Sequence, residues 1–179
     1  MATNTYYIDT ANDDWYVHSV TGRQDGTNEI WVQKNNVITP NYSETGYGDI
    51  LTSGIGTDVI SAATLYLDEV SYTASRGIKL QYNVWIWNGS SFVVMTNGTN
   101  ILYGRSPIVR QIVLTATEQG YINKTGKTSF RVTVGTVSAG QFKLFKYKAY
   151  ETAQANALRL SVTHAPAATG APQVISIMT

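Results

Sequence analysis

Several residue types are missing or scarce in this sequence of 179 residues, and each shortage excludes a class of chemistry. There is no cysteine, which excludes disulfide bridges, thiolate nucleophiles and thiolate metal sites. The two histidines, His18 and His164, are too few for a three-histidine zinc site within one chain. Charged residues make up 14% of the sequence, below the usual fraction of about a quarter, and the net charge is +1. We therefore expect no nucleic-acid partner, because nucleic-acid binders normally carry a basic face.

Long hydrophobic runs are missing as well. No stretch approaches the roughly 18 to 20 apolar residues that a membrane-spanning helix needs, so we expect no membrane partner. The first residues, MATNTYYIDTANDD, lack the basic and apolar regions of a secretory signal peptide. We therefore expect either a mature protein that starts at Met1 or a chain that leaves the cell without such a signal.

The hydrophobic residues that are present recur with a period of two. In residues 61–68, the apolar residues Ala63, Leu65 and Leu67 alternate with Thr64, Tyr66 and Asp68, as a half-buried strand requires. The same alternation occurs in residues 129–134 and 157–163. Shorter runs whose composition favours β-strands are residues 5–8, 15–20, 29–33, 79–87, 92–95, 108–115 and 141–148. About ten short strands with turns between them predict an all-β fold, an antiparallel β-sandwich of jelly-roll type.

Two segments interrupt the strand pattern. Residues 35–58 contain four glycines and Pro40, and this composition predicts a long loop with at most one short strand. Residues 165–172 (APAATGAP) predict a linker, and the apolar segment 173–178 follows it. We therefore predict a sandwich domain over residues 1–164 and a linker with a C-terminal docking segment over residues 165–179. The docking segment would bind either to the body of the same chain or to a neighbouring molecule. The predicted assembly residues are Val174, Ile175, Ile177 and Met178.

Four stretches resemble, in order along the chain, the strands of one known family. Residues 13–17 (DDWYV) resemble a D-G-Y-V opening, and residues 59–67 (VISAATLYL) resemble an I-x-S-A-T-L-x-L strand. Residues 126–132 (GKTSFRV) and 151–163 (ETAQANALRLSVT) resemble the family's last two motifs, with Asn156 in place of a proline. The family is the DNRLRE-type jelly-roll domain, which is related to carbohydrate-binding modules and occurs in surface proteins and bacteriophage structural proteins. Its Arg-containing strand is replaced here by residues 35–58, so the resemblance implies the framework and no ligand residue.

A short run of aromatic and amide residues offers the best candidate for a ligand surface. On a strand, Gln81, Asn83, Trp85 and Trp87 share one face, with the two tryptophans roughly 6 to 7 Å apart. Indole rings cover the apolar face of a pyranose sugar, while amide groups bond to its hydroxyls. These residues therefore predict a glycan-binding platform.

The other aromatic residues leave alternatives open. Tyr42 and Tyr47 lie in the glycine-rich segment and are added to the predicted binding residues. The alternative for Trp85 and Trp87 is burial under a loop as core residues, since large aromatic side chains are usually mostly buried. Trp31 is expected in the core for the same reason.

Acidic residues near the N-terminus offer a candidate metal site. Asp9, Asp13 and Asp14 predict a structural calcium site, because jelly-roll modules hold calcium with carboxylate and carbonyl oxygens. The alternative is a solvated turn, since no EF-hand spacing is present. No other cofactor is expected.

The motifs of known enzymes are missing, and this shapes the functional hypothesis. No G-x-S-x-G, H-E-x-x-H or P-loop spacing occurs, so we expect that the protein is not an enzyme. The alternative is a hydrolase whose two catalytic carboxylates are not marked by any motif. The leading hypothesis is a non-enzymatic bacteriophage virion protein, a capsid decoration or tail accessory protein on the virion surface. It would bind glycans such as cell-surface polysaccharide, or make assembly contacts with other virion proteins. The alternative is the carbohydrate-binding module of a larger secreted enzyme or adhesin. The low charge and the 12 tyrosines favour a homo-oligomer in either case.

Overall fold

The computed structural model describes residues 1–8, 10, 13–25, 29–37, 42–103, 108–149 and 157–167. Strands dominate the regular structure in these residues. They are β1 (Ala2–Tyr7), β2 (Asp14–His18), β3 (Gly22–Asp25), β4 (Glu29–Asn35), β5 (Tyr42–Leu51), β6 (Val59–Ala74), β7 (Gln81–Trp87), β8 (Phe92–Val94), β9 (Ile101–Leu102), β10 (Val109–Val113), β11 (Lys127–Val134), β12 (Phe142–Lys148) and β13 (Arg159–Ala165). The other elements of the described residues are one helical turn, α1 (Ala116–Gln119), and two 3₁₀ turns, Ser53–Ile55 and Thr96–Gly98. No helix in the described ranges is long and apolar enough to cross a membrane.

All strand pairs are antiparallel, and the strands form two layers that join at one corner. The first layer contains β10, β6, β13 and β1, and β12 and β4 continue it along the second half of the long strand β6. The second layer has the order β3-β2-β5-β11-β7-β8, with β9 beside β7. The pairing of β4 with β5 joins the layers. The predicted all-β, antiparallel β-sandwich is confirmed.

The strand pairing is nested, as in a jelly roll. Strand β1 pairs with β13, β4 with β12, and β5 with β11, so early strands meet late strands. A jelly roll has this connectivity because an extended antiparallel ribbon of strands wraps around one core, whereas a meander pairs only sequence neighbours. Residues that are distant in the sequence therefore become neighbours on one face.

One hydrophobic core fills the space between the layers. Ala63, Leu65 and Leu67 of β6 are buried, as the alternation predicts. Tyr82 of β7 stacks on Phe145 of β12 with 4.5 Å between ring centroids, so the inner faces of the two layers meet directly. Each fully buried large apolar side chain contributes about 1.5–3 kcal/mol to folding. Alternating apolar residues of the other strand segments lie in the same core, namely Tyr82, Val84, Ile86, Phe130, Val132, Leu158, Leu160 and Val162, and Val134 is partly buried against it.

The prediction of a long loop over residues 35–58 is wrong. The segment contains β5, a ten-residue strand that pairs with β2, β4 and β11 and lies inside the second layer. Its glycines suggested a loop because glycine is depleted in strands. The predicted binding residue Tyr47 therefore lies on a central strand rather than on a loop.

Close packing explains why glycines occupy inward positions of β5. A Cβ atom on Gly46 would lie 2.6 Å from both Ile30 Cγ2 and Tyr147 Oη. A Cβ on Gly48 would lie 2.9 Å from Leu158 Cδ2. The large side chains of the first layer thus take the volume that side chains on β5 would need.

The prediction that Trp31 is a core residue is also wrong. Ile30 and Val32 are buried, so the alternation of β4 turns Trp31 to the outer side of the first layer. Its indole stacks on Tyr16 with 6.5 Å between centroids, and the Lys146 ammonium lies 4.2 Å from the indole centroid. Trp31 is therefore half-buried against Tyr16 and Lys146 rather than placed in the core.

Candidate functional site

The outer face of the second layer carries a continuous row of large side chains. Strand register places Trp15, Tyr47, Arg131, Trp85 and Val94 side by side on β2, β5, β11, β7 and β8. Alternation directs them away from the core, because their strand neighbours are buried or, for Tyr16 and Val93, partly buried against the core. The row therefore crosses five strands of the layer.

The rings of this row are in contact with one another. Trp15 and Tyr47 are stacked, with 5.3 Å between centroids and an interplanar angle of 8°. Tyr47 meets the edge of Phe92 at 5.8 Å, and Phe92 meets Trp87 in the same manner at 5.2 Å. We call the five residues Trp15, Tyr47, Trp85, Trp87 and Phe92 the aromatic face.

Two arginines lie over the aromatic face. Arg23 of β3 has its guanidinium carbon 4.2 Å from the Trp15 ring. The guanidinium carbon of Arg131 lies 4.3 Å from the Trp85 ring and 4.9 Å from the Phe92 ring. Such cation–π contacts hold the guanidinium planes against the rings.

Arg131 has no carboxylate partner among the described residues, unlike Lys127 near the same face. Its Nε is buried and has no hydrogen-bond partner there. Lys127, by contrast, donates to both carboxylate oxygens of Asp13 at 2.6 Å. The guanidinium is partly exposed beyond the buried Nε and has no hydrogen-bond acceptor among the described residues, so it can bind an acceptor supplied from outside.

A carboxylate lies beside the aromatic face, two residues from Tyr47 on β5. Burial raises the pKa of Asp49, and the nearby charge of Asp13 raises it further. The Ser129 hydroxyl, Lys127 and Arg23 act in the opposite direction without cancelling this shift. Asp49 is thus a partly desolvated acceptor at the margin of the site.

An open pocket adjoins the exposed end of the aromatic face. Its volume is about 280 Å³, and Trp87 forms one wall. The Asn88-Gly89 turn, residues 120–123 and the start of β11 form the other walls. The Asn88 side chain shapes the turn by accepting hydrogen bonds from the backbone N–H groups of Ser90 and Ser91 at 3.0 and 2.9 Å. A bound molecule could therefore extend from the rings into this pocket.

The predicted platform residues are only partly brought together. Trp85 and Trp87 lie on the outer face, where Trp87 is 38% exposed, so the alternative of a core position is wrong for both. The Trp85 indole N–H donates to Thr133 Oγ1 at 2.9 Å, which fixes the ring. Asn83 has a structural contact, since its Oδ1 accepts a hydrogen bond from the Asn100 backbone N–H at 2.6 Å.

The remaining predicted residues lie away from this cluster or beyond the described atoms. Gln81 is exposed at the start of β7, opposite Leu102 and four residues before Trp85. The backbone of Tyr42 begins β5, and its side chain lies outside the described part of the structure. The predicted assembly residues Val174, Ile175, Ile177 and Met178 also lie outside the described residues.

Sequence reasoning missed Trp15, Phe92, Arg23 and Arg131 as members of the site. The alternation in residues 129–134 did place Arg131 on the outward face, which is the one local signal available. Its contact with Trp85 depends on the pairing of β11 with β7, strands about forty residues apart in sequence. Periodicity identifies a face, but not the neighbour on that face.

The calcium prediction receives no support from the described residues. Asp13 pairs with Lys127, and Asp14 is 1% exposed on the inner side of β2. Asp9 lies outside the described residues. Within the described ranges, no group of three or more histidine or acidic side chains could hold a metal ion.

Comparison with known proteins does not assign a family. No protein-family model and no curated protein matches the chain. The resemblance to DNRLRE-type domains therefore stays a prediction.

Proposed function

We propose that this protein is a non-enzymatic glycan-binding protein and that the aromatic face is its binding surface. The observation that carries the proposal is the stacked pair of Trp15 and Tyr47, continued by Trp85 and Trp87 across neighbouring strands. Aromatic rings that their neighbours hold in place on a rigid sheet can contact the apolar C–H groups of pyranose sugars and need no reordering to bind them. A sheet-based site is also more precise than one on loops.

The dimensions of the row suit a short stretch of polysaccharide. Trp15 and Trp85 lie three strand spacings apart, which corresponds to about 14 Å. This length accommodates several consecutive sugar units. The pocket beside Trp87 lies at one end, where it can receive a further unit or a branch.

Arg131 adds a charge preference to the proposed site. A guanidinium held between Trp85 and Phe92 presents its donors in a planar fork, which matches a carboxylate or another oxyanion. Neutral hydroxyls accept from the same donors with weaker hydrogen bonds. We therefore infer that acidic polysaccharides bind more tightly than neutral ones.

The biological setting that we propose is the surface of a bacteriophage particle, as a capsid decoration or tail accessory protein. The proposal is based on the resemblance of residues 59–67, 126–132 and 151–163 to jelly-roll strands found in phage structural proteins. Mass spectrometry of purified particles tests it, because a virion protein must co-purify with the particle. A reading frame that continues far beyond Thr179 into a catalytic domain would instead favour a module of a secreted enzyme or adhesin.

The binding proposal is tested with a panel of paired polysaccharides, namely dextran and hydroxyethyl cellulose with their carboxymethyl derivatives. We expect Trp85→Ala and Trp15→Ala to weaken binding at least about tenfold, because each removes one stacking surface. Affinity electrophoresis and calorimetry measure the change, with circular dichroism as a check of folding.

The matched control is Tyr66→Ala on the first layer, where an aromatic ring also lies under an arginine. This variant should bind as the wild type does. Failure of the wild-type protein to bind any polymer of the panel, or equal losses in Tyr66→Ala and Trp85→Ala, would contradict the proposal.

A further inference from the structure

The outermost strand of the first layer, β1, has one free edge in the described structure. It pairs with β13 over six residue pairs, and no other described strand pairs with it. Three side-chain contacts also join β1 to β13. Thr3 Oγ1 lies 2.8 Å from Thr163 Oγ1, and Asn4 Nδ2 and Tyr6 Oη lie 3.1 and 3.0 Å from His164 Nε2. The edge is therefore held in place and presents unpaired backbone N–H and C=O groups.

Most other edge strands of the described structure are blunted, and β9, which lies beside β7, has only two residues. Strand β8 has three residues, and β3 has four residues, with Gly22 and the charged Arg23 among them. On β10, the Val113 carbonyl accepts a hydrogen bond from Asn97 Nδ2 at 2.7 Å, and Arg110 reaches across to the Leu102 carbonyl at 3.1 Å. Short length, charge and covered carbonyls are the usual means by which proteins prevent edge-to-edge pairing.

Strand β1 has none of these protections. Its sequence, ATNTYY, contains no charge, proline or glycine, and its pairing with β13 shows no bulge. Thr3 and Thr5 are exposed on the outer side of the layer. The same strand from a second molecule would meet this edge without charge repulsion.

The sequence of β1 is also suited to pairing with itself. In an antiparallel pair centred on Asn4, Thr3 of each copy lies opposite Thr5 of the other, and all four threonines share the outer face. Cross-strand threonine pairs are favourable in sheets. Antiparallel pairing of identical strands generates a two-fold axis, and hence a closed dimer rather than a filament.

We propose that β1 is a homodimerisation edge, at which a second copy of this chain adds its own β1 in antiparallel orientation. The first layers of the two molecules then form one continuous sheet. The two-fold axis is perpendicular to that sheet, so the second layers of both copies lie on the same side of it. This arrangement is independent of any ligand.

The dimer would have a consequence for binding, which rests on the proposed function. Both aromatic faces point in the same direction, so one polysaccharide surface can engage both sites. Simultaneous engagement raises apparent affinity for an immobilised polymer by about a hundredfold or more without any new contact. A short oligosaccharide in solution would gain nothing.

The dimer is tested by light scattering and sedimentation over a wide range of protein concentration. We expect a concentration-dependent dimer, and we expect Thr5→Lys to raise its dissociation constant at least about tenfold, because it places two like charges at the junction. The matched control is Gln111→Lys, which adds the same charge at an exposed position of the opposite edge strand, β10. This control should remain dimeric, and near-ultraviolet circular dichroism confirms that both variants keep the native packing.

Three results would overturn the proposal. The first is a wild-type protein that is monomeric at every concentration, and the second is an oligomer that Thr5→Lys leaves intact. The third is a monomer whose β1 amides resist hydrogen exchange until residues 168–179 are deleted, since the chain's own terminal segment would then cover the edge. A dimer that binds no polysaccharide would contradict the proposed function and leave the dimerisation edge intact.

Discussion

The outer faces of the two layers follow the same alternation but carry different chemistry. On the second layer, the outward positions of five strands hold tryptophan, tyrosine, phenylalanine and arginine in mutual contact. On β1, β13 and β6 of the first layer, the outward positions include Thr3, Thr5, Thr64, Ser161 and Thr163. Folding constrains the inward residues of both layers in the same way, so the difference between the outward residues points to function.

Two arginines make this comparison specific. Arg131 lies over two aromatic rings of the second layer and has no carboxylate partner among the described residues. Arg159 lies over Tyr66 of the first layer, with 5.1 Å from its guanidinium carbon to the ring, and also pairs with Asp68 at 3.0 Å. We interpret Arg159 as a residue of the fold and Arg131 as a residue of the binding site.

Replacing Arg159 should have the largest effect on stability. In Arg159→Gln, Asp68 would keep a nearly buried carboxylate without its cation, which costs about 3 kcal/mol. Urea denaturation measures the loss of unfolding free energy. Polysaccharide binding, measured under conditions where the variant is fully folded, should be unchanged. The double variant Arg159→Gln with Asp68→Asn should recover part of the stability. A stable Arg159→Gln protein with weakened binding would reverse the assignment of the two arginines.

Replacing Arg131 should weaken polysaccharide binding, and it should lower the stability of the fold less than replacing Arg159 does. Arg131→Gln should lower affinity for carboxymethyl polymers about tenfold, which corresponds to about 1.4 kcal/mol, because a charge-assisted hydrogen bond is lost. Its free energy of unfolding should change by at most about 2 kcal/mol, because two cation–π contacts are lost and each contributes about 0.5–1 kcal/mol at a partly exposed site. Calorimetry with each neutral and acidic polymer pair measures the preference. An unchanged preference for the acidic polymer would remove Arg131 from the site.

The smallest expected effect concerns Asp49 at the margin of the site. Because burial raises the pKa of Asp49 above its unfolded value, the folded state binds the proton more tightly, and stability falls as pH rises through the raised value. Asp49→Asn should remove this decline and make the protein slightly more stable at neutral pH, by less than either arginine replacement changes it. Thermal unfolding measured below and above the titration gives the slope. A variant that is less stable than the wild type at neutral pH would show that the carboxylate is stabilising.

The sequence predicted where the strands lie better than which strands pair with one another. Alternation in residues 61–68 and 81–87 reports which side chains face the core, since burial acts on each strand separately. It does not report register between distant strands, so the contacts of Trp15 with Tyr47 and of Arg131 with Trp85 could not be predicted.

Two predictions were wrong because glycine and tryptophan occupy positions in this fold that are unusual for them. Gly46 and Gly48 indicated a loop, but they occupy strand positions where the first layer leaves no room for a side chain. Trp31 was expected in the core because of its size, yet its neighbours Ile30 and Val32 take the buried positions. In both cases tertiary packing, rather than local preference, determines the outcome.

The most direct test of the central claim is to map the surface on which a sugar binds. Nuclear magnetic resonance can follow backbone amides, tryptophan indoles and arginine Nε–H groups while an oligosaccharide from the tightest-binding polymer is added. Our account predicts shifts at the indoles of Trp15, Trp85 and Trp87 and at Arg131 Nε–H, with Thr64 and Thr163 of the first layer unaffected. Shifts confined to the first layer, or spread equally over both outer faces, would contradict it.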